Sequence, residues 1–391
     1  MIYNFDEIIH RENTGSVKYD FRRQFFGTNE VLPLWVADMD FRTPDFIVDA
    51  VKRRANHELY GYAIQMPGYY EAILKWCEEQ YHWKVPQGWL NFSPGVVAGL
   101  GVAVQVFTQP GDKIIIQSPV YPPFFTVVEN LGRQVVNNQL SNEDGVYQID
   151  FELLENQIDS RTKLMMLCNP HNPTGRVWTK DELEKLATIA EKHDLLIITD
   201  DIHADLVFEP NQYIPIATLS PAIANRTITF ISPSKSFNMA GLFTSVAIIP
   251  DSIKAKIYSN RLNDMHMGFA NVFGIVALEA AYKNGKDWLQ QMLDYVWGNI
   301  LFVGDFIQSN IPEISMVAPE GTYLIWLDCR GLNLNDKELK EFMIKTAGLG
   351  LNDGPSFGPG GSGFQRLNAA CPRAILEDAM HRLMNAIRSI K

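Results

Sequence analysis

Four polar residues that can do chemistry come at or shortly after the ends of apolar runs: Lys235, Asp200, Asn172 and Tyr121. A lysine amine can bond covalently to a carbonyl carbon, and a carboxylate can stabilise a positive charge. A carboxamide and a phenol can donate hydrogen bonds to an anionic oxygen, and a phenol ring can stack on a flat ligand. Together these residues indicate covalent catalysis through an amine, if the fold brings them to one place.

The apolar runs before these residues have the composition of buried strands. They are KIIIQ (113–117), KLMMLC (163–168), LLIIT (195–199), TITFIS (227–232) and TSVAIIP (244–250). Several are apolar on both faces, as expected for strands that are covered by helices on both sides. Amphipathic stretches lie between them, and this alternation predicts an α/β fold with a mainly parallel sheet. Ligands of such sheets bind beyond the carboxyl ends of the strands, so we expect the polar residues to converge there.

Two helix starts are marked by their residue types. Thr179 and Glu182 have the spacing of a capping box before the amphipathic stretch 179–194. Thr43-Pro44-Asp45 offers a cap residue, a proline for the first turn and an acid near the helix N-terminus.

The last third of the sequence has a different pattern. A long helical stretch from about 288 to 311 is followed by TYLIWLD (322–328), a helix near 335–347, FQRLNAA (364–370) and a helix near 373–389. This order predicts a smaller α+β domain that begins near residue 285.

One cofactor would use the four residues named first, namely pyridoxal 5′-phosphate. Its aldehyde needs a lysine amine for a Schiff base, which Lys235 can supply. Asp200 can hold the proton on the pyridine nitrogen and keep the ring an electron sink. Asn172 can donate to the phenolate oxygen, and Tyr121 can lie flat on the ring.

The phosphate of this cofactor needs a cradle of hydrogen-bond donors. LNF (90–92) is followed by Ser93-Pro94-Gly95-Val96-Val97, which opens an apolar helix. A helix N-terminus binds phosphate through its free N–H groups and its dipole. Ser232 and Ser234, on either side of Pro233 and just before Lys235, can add two hydroxyl donors.

Each of these features also has a simpler explanation. A lysine after a strand is usually solvated, and Asp200-Asp201 could cap the next helix. The sequence NPHNPTG (169–175) could be only a turn, and Tyr121 could be a core aromatic residue. His203 could be a core histidine with satisfied hydrogen bonds, since no HxxH or HExxH pattern indicates a metal. It is their joint occurrence, in order along the chain, that favours the cofactor.

Composition excludes several other classes of protein. The chain has 391 residues, is 46% hydrophobic and 20% charged, and carries a formal net charge of −11. A general nucleic-acid binder would have a basic face, so we expect no nucleic-acid partner. No window reaches eighteen apolar residues and the N-terminus has charges where a signal peptide is apolar, so we expect no membrane span and a cytoplasmic location. The four cysteines form no CxxC motif, which predicts reduced thiols in the core.

The chain resembles the fold-type I pyridoxal-phosphate enzymes of the aspartate aminotransferase superfamily over essentially its whole length. Within them it is similar to the C–S lyase branch, the cystathionine β-lyases of the MalY/PatB type and the cystalysins. The segments that carry the resemblance are WVADMDF (35–41), YGY (60–62), SPGVV (93–97), SPVYPPF (118–124), CNPHNPTGRVW (168–178), TDDIHADL (199–206), SPSKSFNMAGL (232–242), GTYLIWLD (321–328) and GFQRLNAACP (363–372).

The resemblance implies a three-layer α/β/α large domain with a mainly parallel, seven-stranded sheet, and a smaller α+β domain. The large domain would span 46–285 and the small domain 286–391, joined by the N-terminal segment 1–45. A homodimer is also implied, because Tyr62 is similar to a tyrosine that reaches the phosphate of the neighbouring subunit.

The resemblance also assigns roles at the cofactor. Lys235 matches the Schiff-base lysine, Asp200 the partner of the pyridine nitrogen and Asn172 the donor to the phenolate oxygen. Tyr121 matches the stacking ring, which could also assist proton transfer near the leaving group. His203 stands where many relatives have tyrosine, and the lyase branch shares this histidine.

Further matches concern the phosphate and the substrate. The amides of Val96 and Val97, with Ser232 and Ser234, match the phosphate cradle. Arg366 matches the arginine that grips the α-carboxylate of the substrate, a task that suits a bidentate guanidinium.

Two positions depart from the aminotransferase pattern. Phe243 stands where many aminotransferases have an arginine at the phosphate, a lack that the lyase branch shares. Asp201 stands where glutamate is usual, which leaves open a shift of one residue between Asp200 and Asp201. The spacings of 28 residues from Asn172 and 35 to Lys235 favour Asp200.

The activity implied is α,β-elimination on L-cystathionine or L-cysteine-type amino acids, giving a thiol, pyruvate and ammonia. An aminotransferase is the first alternative, because the same residues could return the proton to the cofactor. A lyase that also binds a regulatory protein partner is the second. The sequence does not distinguish the preferred substrate.

Overall fold

A mixed seven-stranded sheet lies at the centre of the computed structural model, which describes residues 2–390. The strands are β1 (Leu32–Pro33), β2 (Leu90–Ser93), β3 (Lys113–Ile116), β4 (Gln134–Asn137), β5 (Ser141–Glu143), β6 (Val146–Gln148), β7 (Thr162–Cys168), β8 (Leu196–Asp200), β9 (Thr227–Ile231), β10 (Ser245–Ile248), β11 (Leu324–Asp328), β12 (Leu349–Gly350), β13 (Asn352–Asp353) and β14 (Phe364–Asn368). The α-helices are α1 (Val17–Asp20), α2 (Arg22–Phe26), α3 (Asp45–Ala55), α4 (Pro67–Tyr81), α5 (Val96–Phe107), α6 (Pro123–Asn130), α7 (Phe151–Asn156), α8 (Lys180–Lys192), α9 (Pro221–Asn225), α10 (Ser252–Asp264), α11 (Val272–Asn284), α12 (Lys286–Asn310), α13 (Asp336–Glu341) and α14 (Arg373–Ile390).

The central sheet has the strand order β2-β10-β9-β8-β7-β3-β4. The neighbours from β9 through β8, β7 and β3 to β4 pair in parallel, whereas β10 is antiparallel to both β9 and β2. The prediction of a mainly parallel, seven-stranded sheet is therefore confirmed. The edge strand β4 was not among the predicted runs, because its four residues include two polar ones and it is recognised only by its pairing with β3.

The sheet lies between two layers of helices, as its two-sided apolar strands predict. Ile114, Met166 and Ile198 pack on one face with α5, α6 and α10. Their neighbours Ile115 and Ile197 face the opposite way and pack with α8. Successive strand residues point to opposite faces, so each apolar run supplies both cores.

Both predicted helix starts can be compared with the structure. The capping box at α8 is confirmed, because the Thr179 side chain accepts from the Glu182 amide and the Glu182 side chain accepts from the Thr179 amide. The prediction that Thr43 caps α3 is wrong. Pro44 occupies the cap position, and the Thr43 hydroxyl donates instead to the carbonyl of Asn238 at 2.9 Å.

The last third of the chain forms a small antiparallel sheet, β11-β14-β13, with α12, α13 and α14. The predicted helix near 335–347 is α13 followed by a π-helical turn over Phe342–Thr346. β1 pairs in parallel with β12, which ties the N-terminal segment to this region. The domain bounds at 45/46 and 285/286 stay a prediction. The pairing of β1 with β12 and the break at Gly285 between α11 and α12 agree with it.

The four cysteines are all buried and unpaired, as predicted. Among residues 2–390, no helix combines the length and the apolar character that crossing a membrane would need.

Candidate active site

A cavity of about 470 Å³ opens beyond the carboxyl ends of β7, β8 and β9. Ten of the eleven residues predicted from the sequence line it: Val96, Val97, Tyr121, Asn172, Asp200, His203, Ser232, Ser234, Lys235 and Arg366. The eleventh, Tyr62, lies outside this cavity. It is 94% exposed, and its ring centroid lies 5.2 Å from that of Phe269.

Lys235 lies in the loop that follows β9 and reaches the cavity wall. Its Nζ donates to the carbonyl of Ala37 at 2.6 Å. Removal of the amine from water lowers the pKa of Lys235 to about 8; nearby Asp38 opposes this shift, Arg366 adds to it and Asp200 opposes it. A lysine with this pKa has a substantial neutral fraction near physiological pH, which a nucleophile or a base requires.

The end of β8 places Asp200 and Asp201 in different surroundings. Asp200 lines the cavity, and burial raises the pKa of its carboxyl to about 6. Asp201 does not line the cavity. Its Oδ2 accepts from the Tyr213 hydroxyl at 2.5 Å and from the Thr199 hydroxyl at 3.0 Å. Only Asp200 is therefore placed to meet a ligand in the cavity.

Arg366 projects from β14 and is held by three neutral acceptors. Its Nη1 donates to Asn172 Oδ1 at 2.9 Å, and its Nη2 donates to the Trp35 carbonyl at 2.9 Å and to Asn352 Oδ1 at 2.7 Å. The guanidinium lies over the ring of Phe357, 5.0 Å from its centroid. Burial lowers the pKa of Arg366 to about 10, so it stays charged.

Two of these neighbours line the cavity and were not predicted as site residues. Trp35 stands in the segment 35–41, which carried the resemblance without an assigned role. Asn352 has no signal of its own in the sequence, because it is a lone amide in the two-residue strand β13.

The N-terminus of α5 faces the cavity together with hydroxyl groups. Gly95 precedes the helix with φ +156°, and a Cβ built there would meet no atom within 4 Å. Ser232 Oγ lies 2.9 Å from Ser234 Oγ and donates to the Thr244 carbonyl at 2.7 Å. Phe243 also lines this end and is 68% exposed.

His203 lies in the turn after β8 and is buried against Tyr323, with ring centroids 6.1 Å apart. Burial, with the nearby charges of Lys235 and Arg366, lowers the pKa of His203 well below its usual value. The imidazole is therefore neutral.

Two buried polar atoms of cavity-lining residues have no protein partner among residues 2–390: His203 Nδ1 and Arg366 Nε. Buried polar atoms without partners are rare in proteins, so a polar ligand is expected to satisfy them. The donor set fits pyridoxal phosphate: a lysine amine, a buried carboxyl, an amide, an aromatic ring and a helix N-terminus with hydroxyls. The residues present thus agree with the cofactor that the sequence predicts.

Comparison with known proteins decides the family. Residues 29–383 match the family described as aminotransferase class I and II. The chain belongs to this family.

Members of the aminotransferase class I and II family with high similarity to the chain include C–S lyases. The chain is 42% identical to cystathionine beta-lyase PatB of Bacillus subtilis (strain 168), over 98% of this chain and 100% of that protein. It is 31% identical to protein MalY of Escherichia coli (strain K12), over the full length of both. The structure of cystalysin from Treponema denticola, which contains a pyridoxal 5′-phosphate cofactor, superposes with a TM-score of 0.97 at 37% identity, covering 100% of both chains.

Proposed function

We propose that the protein is a pyridoxal 5′-phosphate-dependent carbon–sulfur β-lyase. Its substrates are L-amino acids with sulfur on Cβ, such as L-cystathionine and L-cysteine, and its products are a thiol, pyruvate and ammonia. The observation that carries the proposal is the convergence of Lys235, Asp200 and Arg366 on one cavity in a chain 42% identical to a named cystathionine beta-lyase. The aspartate aminotransferases of Pyrococcus abyssi and Musicola paradisiaca are 25% and 26% identical to the chain, less than PatB.

When bound, pyridoxal phosphate supplies an aldehyde that bonds amino groups and a ring that withdraws electrons. Lys235 would hold the cofactor by its amine, and as a free amine in the presence of substrate it would remove the proton from Cα. Its lowered pKa lets the amine accept that proton near neutral pH. The Cβ–S bond then breaks, the sulfur leaves as a thiolate, and water converts the three-carbon remainder into pyruvate and ammonia.

The other residues orient the reactants. Asp200 would pair with the ring nitrogen, whose positive charge would favour the ionised carboxylate that burial alone disfavours. Asn172 and Tyr121 would hold the ring, and the N-terminus of α5 would hold the phosphate. Three of the five guanidinium N–H groups of Arg366 hold neutral acceptors, and those that remain can bind the α-carboxylate of the substrate.

We further propose that the protein is a cytoplasmic homodimer. Four unpaired, buried thiols suit a reducing compartment. Exposed apolar side chains cluster in the segment 59–66, namely Leu59, Tyr60, Tyr62, Ile64 and Met66. An apolar surface of this kind marks an interface, and a twofold axis would bring Tyr62 to the partner's phosphate.

The deciding experiment is incubation of the holoenzyme with L-cystathionine alone. We expect pyruvate and a free thiol in equal amounts over many turnovers, and no product with Lys235→Ala. The exposed Lys283→Ala, paired only with Glu279, is the matched control and should retain full activity. A requirement for a 2-oxo acid as second substrate would show an aminotransferase instead.

A further inference from the structure

The segment 35–41, called here the strap, lies along the cavity without helix or strand. Its backbone is held by side chains from elements of the active site. The Trp35 carbonyl accepts from Arg366, and the Val36 and Asp38 carbonyls accept from Asn368 Nδ2 at 2.7 and 2.6 Å. Since the strap has no secondary structure of its own, these bonds fix its path.

Ala37 is the point at which the strap meets Lys235. Its carbonyl oxygen accepts from Lys235 Nζ at 2.6 Å and from the Tyr323 hydroxyl at 3.0 Å. A shift of the strap would therefore move an acceptor away from the lysine amine. An acceptor at this distance favours the charged form of the amine.

Behind the strap lies a cluster of four charges, called here the strap ion cluster: Arg11, Lys18, Asp38 and Asp40. Arg11 grips Asp38 with both nitrogens, at 2.9 and 2.6 Å, and reaches Asp40 at 2.6 Å. Lys18 Nζ lies 2.6 Å from Asp40 and 3.7 Å from Asp38, and the Lys18 and Asp40 side chains are 0% and 2% exposed. The cluster thus joins the first twenty residues to the strap with opposite charges in balance.

The charged and titratable groups around the Lys235 amine come from every element that packs against it: Asp38 on the strap, Arg366 on β14, Asp200 at the end of β8, His203 in the turn that follows, Tyr121 before α6 and Tyr323 before β11. Asp38 and Asp200 favour the protonated amine, Arg366 disfavours it, and His203 is neutral. Asp38 is the one charge among the three that does not line the cavity. It can therefore act on the lysine without contacting the substrate.

We propose that the Arg11–Asp38 pair is a positioning element for Lys235. It holds the Ala37 carbonyl on the amine, and it holds the Asp38 carboxylate where that charge favours the protonated lysine nitrogen. The contribution of the Arg11–Asp38 pair to turnover rests on the proposed lyase function. Its effect on the protonation of the Lys235 nitrogen does not.

The test is the pH titration of the visible absorbance of the holoenzyme, which changes when the lysine nitrogen joined to the cofactor ionises. Asp38→Asn should lower the apparent pKa by about 0.5–1 pH unit, because it removes a negative charge and keeps the shape. Arg11→Met should lower it too, because the freed strap no longer holds the Ala37 carbonyl and the Asp38 carboxylate near the amine, and the double variant should shift it by less than the sum of the two. Arg42→Met, which removes the exposed Arg42–Glu7 pair of the same N-terminal region, should leave it unchanged.

A second readout needs no bound cofactor. Competitive acetylation of the cofactor-free, full-length protein, followed by peptide mass spectrometry, gives the pKa of Lys235 itself, and the same downward shifts are expected. A raised pKa in either variant, or shifts below about 0.2 pH unit in folded protein, would overturn the proposal. If Asp38→Asn does not fold, Arg11→Lys and Arg11→Met decide, because only the second removes the ion pair with Asp38 and should lower the pKa of Lys235. Normal shifts without pyruvate formation would refute the lyase alone, and pyruvate formation without shifts would refute the positioning role alone.

Discussion

Replacing Arg366 by lysine keeps the positive charge and removes the planar fork. Arg366 holds three neutral acceptors with its two Nη atoms, and two of its five N–H groups remain for the substrate. A lysine ammonium has three donors on a single atom and cannot reach the same acceptors and a carboxylate together. The variant is expected to lose one charge-assisted hydrogen bond to the substrate, about 1.5–3 kcal/mol, which corresponds to a roughly 10- to 150-fold weaker binding.

The loss should fall on KM and leave kcat within about threefold, because the α-carboxylate is held equally before and during Cα–H cleavage. The assay is steady-state pyruvate formation from L-cystathionine and from L-cysteine with Arg366→Lys. L-cysteine methyl ester, which lacks the carboxylate, is the control substrate and should be used equally well by both proteins. An unchanged KM for L-cysteine, or an equal loss with the ester, would refute the carboxylate role of Arg366.

Three further results are expected. Because Lys235 is a free amine only once the substrate has released it, and must then be neutral to take the Cα proton, kcat should fall as the pH drops below about 8. A flat profile of kcat between about pH 6 and 9 would contradict its role as the base. Gly99→Val should weaken cofactor binding, as measured by absorbance titration. Even a Cβ at Gly99 would lie 2.3 Å from the Phe230 ring and push α5 off the sheet, so an unchanged affinity for the cofactor would show that α5 need not be fixed. Glu320→Gln should lower the free energy of unfolding in urea by about 0.5–1.5 kcal/mol, because Glu320 accepts from Arg176 Nε at 2.9 Å and is one-third exposed. An unchanged unfolding midpoint would show that this ion pair does not contribute to stability.

The positions of the strands, and with them most of the cavity, can be predicted from the sequence. Apolar runs on both faces identify β7, β8 and β9, and the rule that ligands bind beyond the carboxyl ends of strands then selects Asn172, Asp200 and Lys235. These side chains lie within a few residues of their strands. Their positions therefore follow from local structure once the sheet is known.

Contacts between distant segments could not be predicted in the same way. Trp35 and Asn352 meet Arg366 through the pairing of β1 with β12 and of β13 with β14. The strands β1, β12 and β13 have only two residues each. Such short strands have no periodicity to read. The choice of Thr43 as a helix cap failed for a related reason, since its hydroxyl is used by Asn238 from a different part of the chain.

Two buried cations in this acidic chain show how the site is prepared for an anion. Lys18 is fully buried and forms an ion pair with Asp40 at 2.6 Å. Arg366 is 4% exposed, yet its partners Asn172, Asn352 and the Trp35 carbonyl are all neutral, and no carboxylate among residues 2–390 forms an ion pair with it. Burying a charge without a counter-ion costs free energy. The free protein therefore fixes the orientation of Arg366, but the positive charge of Arg366 is compensated only when a carboxylate binds. Neutral acceptors can therefore fix the guanidinium in place without neutralising it, whereas an acid at Asn352 would compete with the substrate for the same charge.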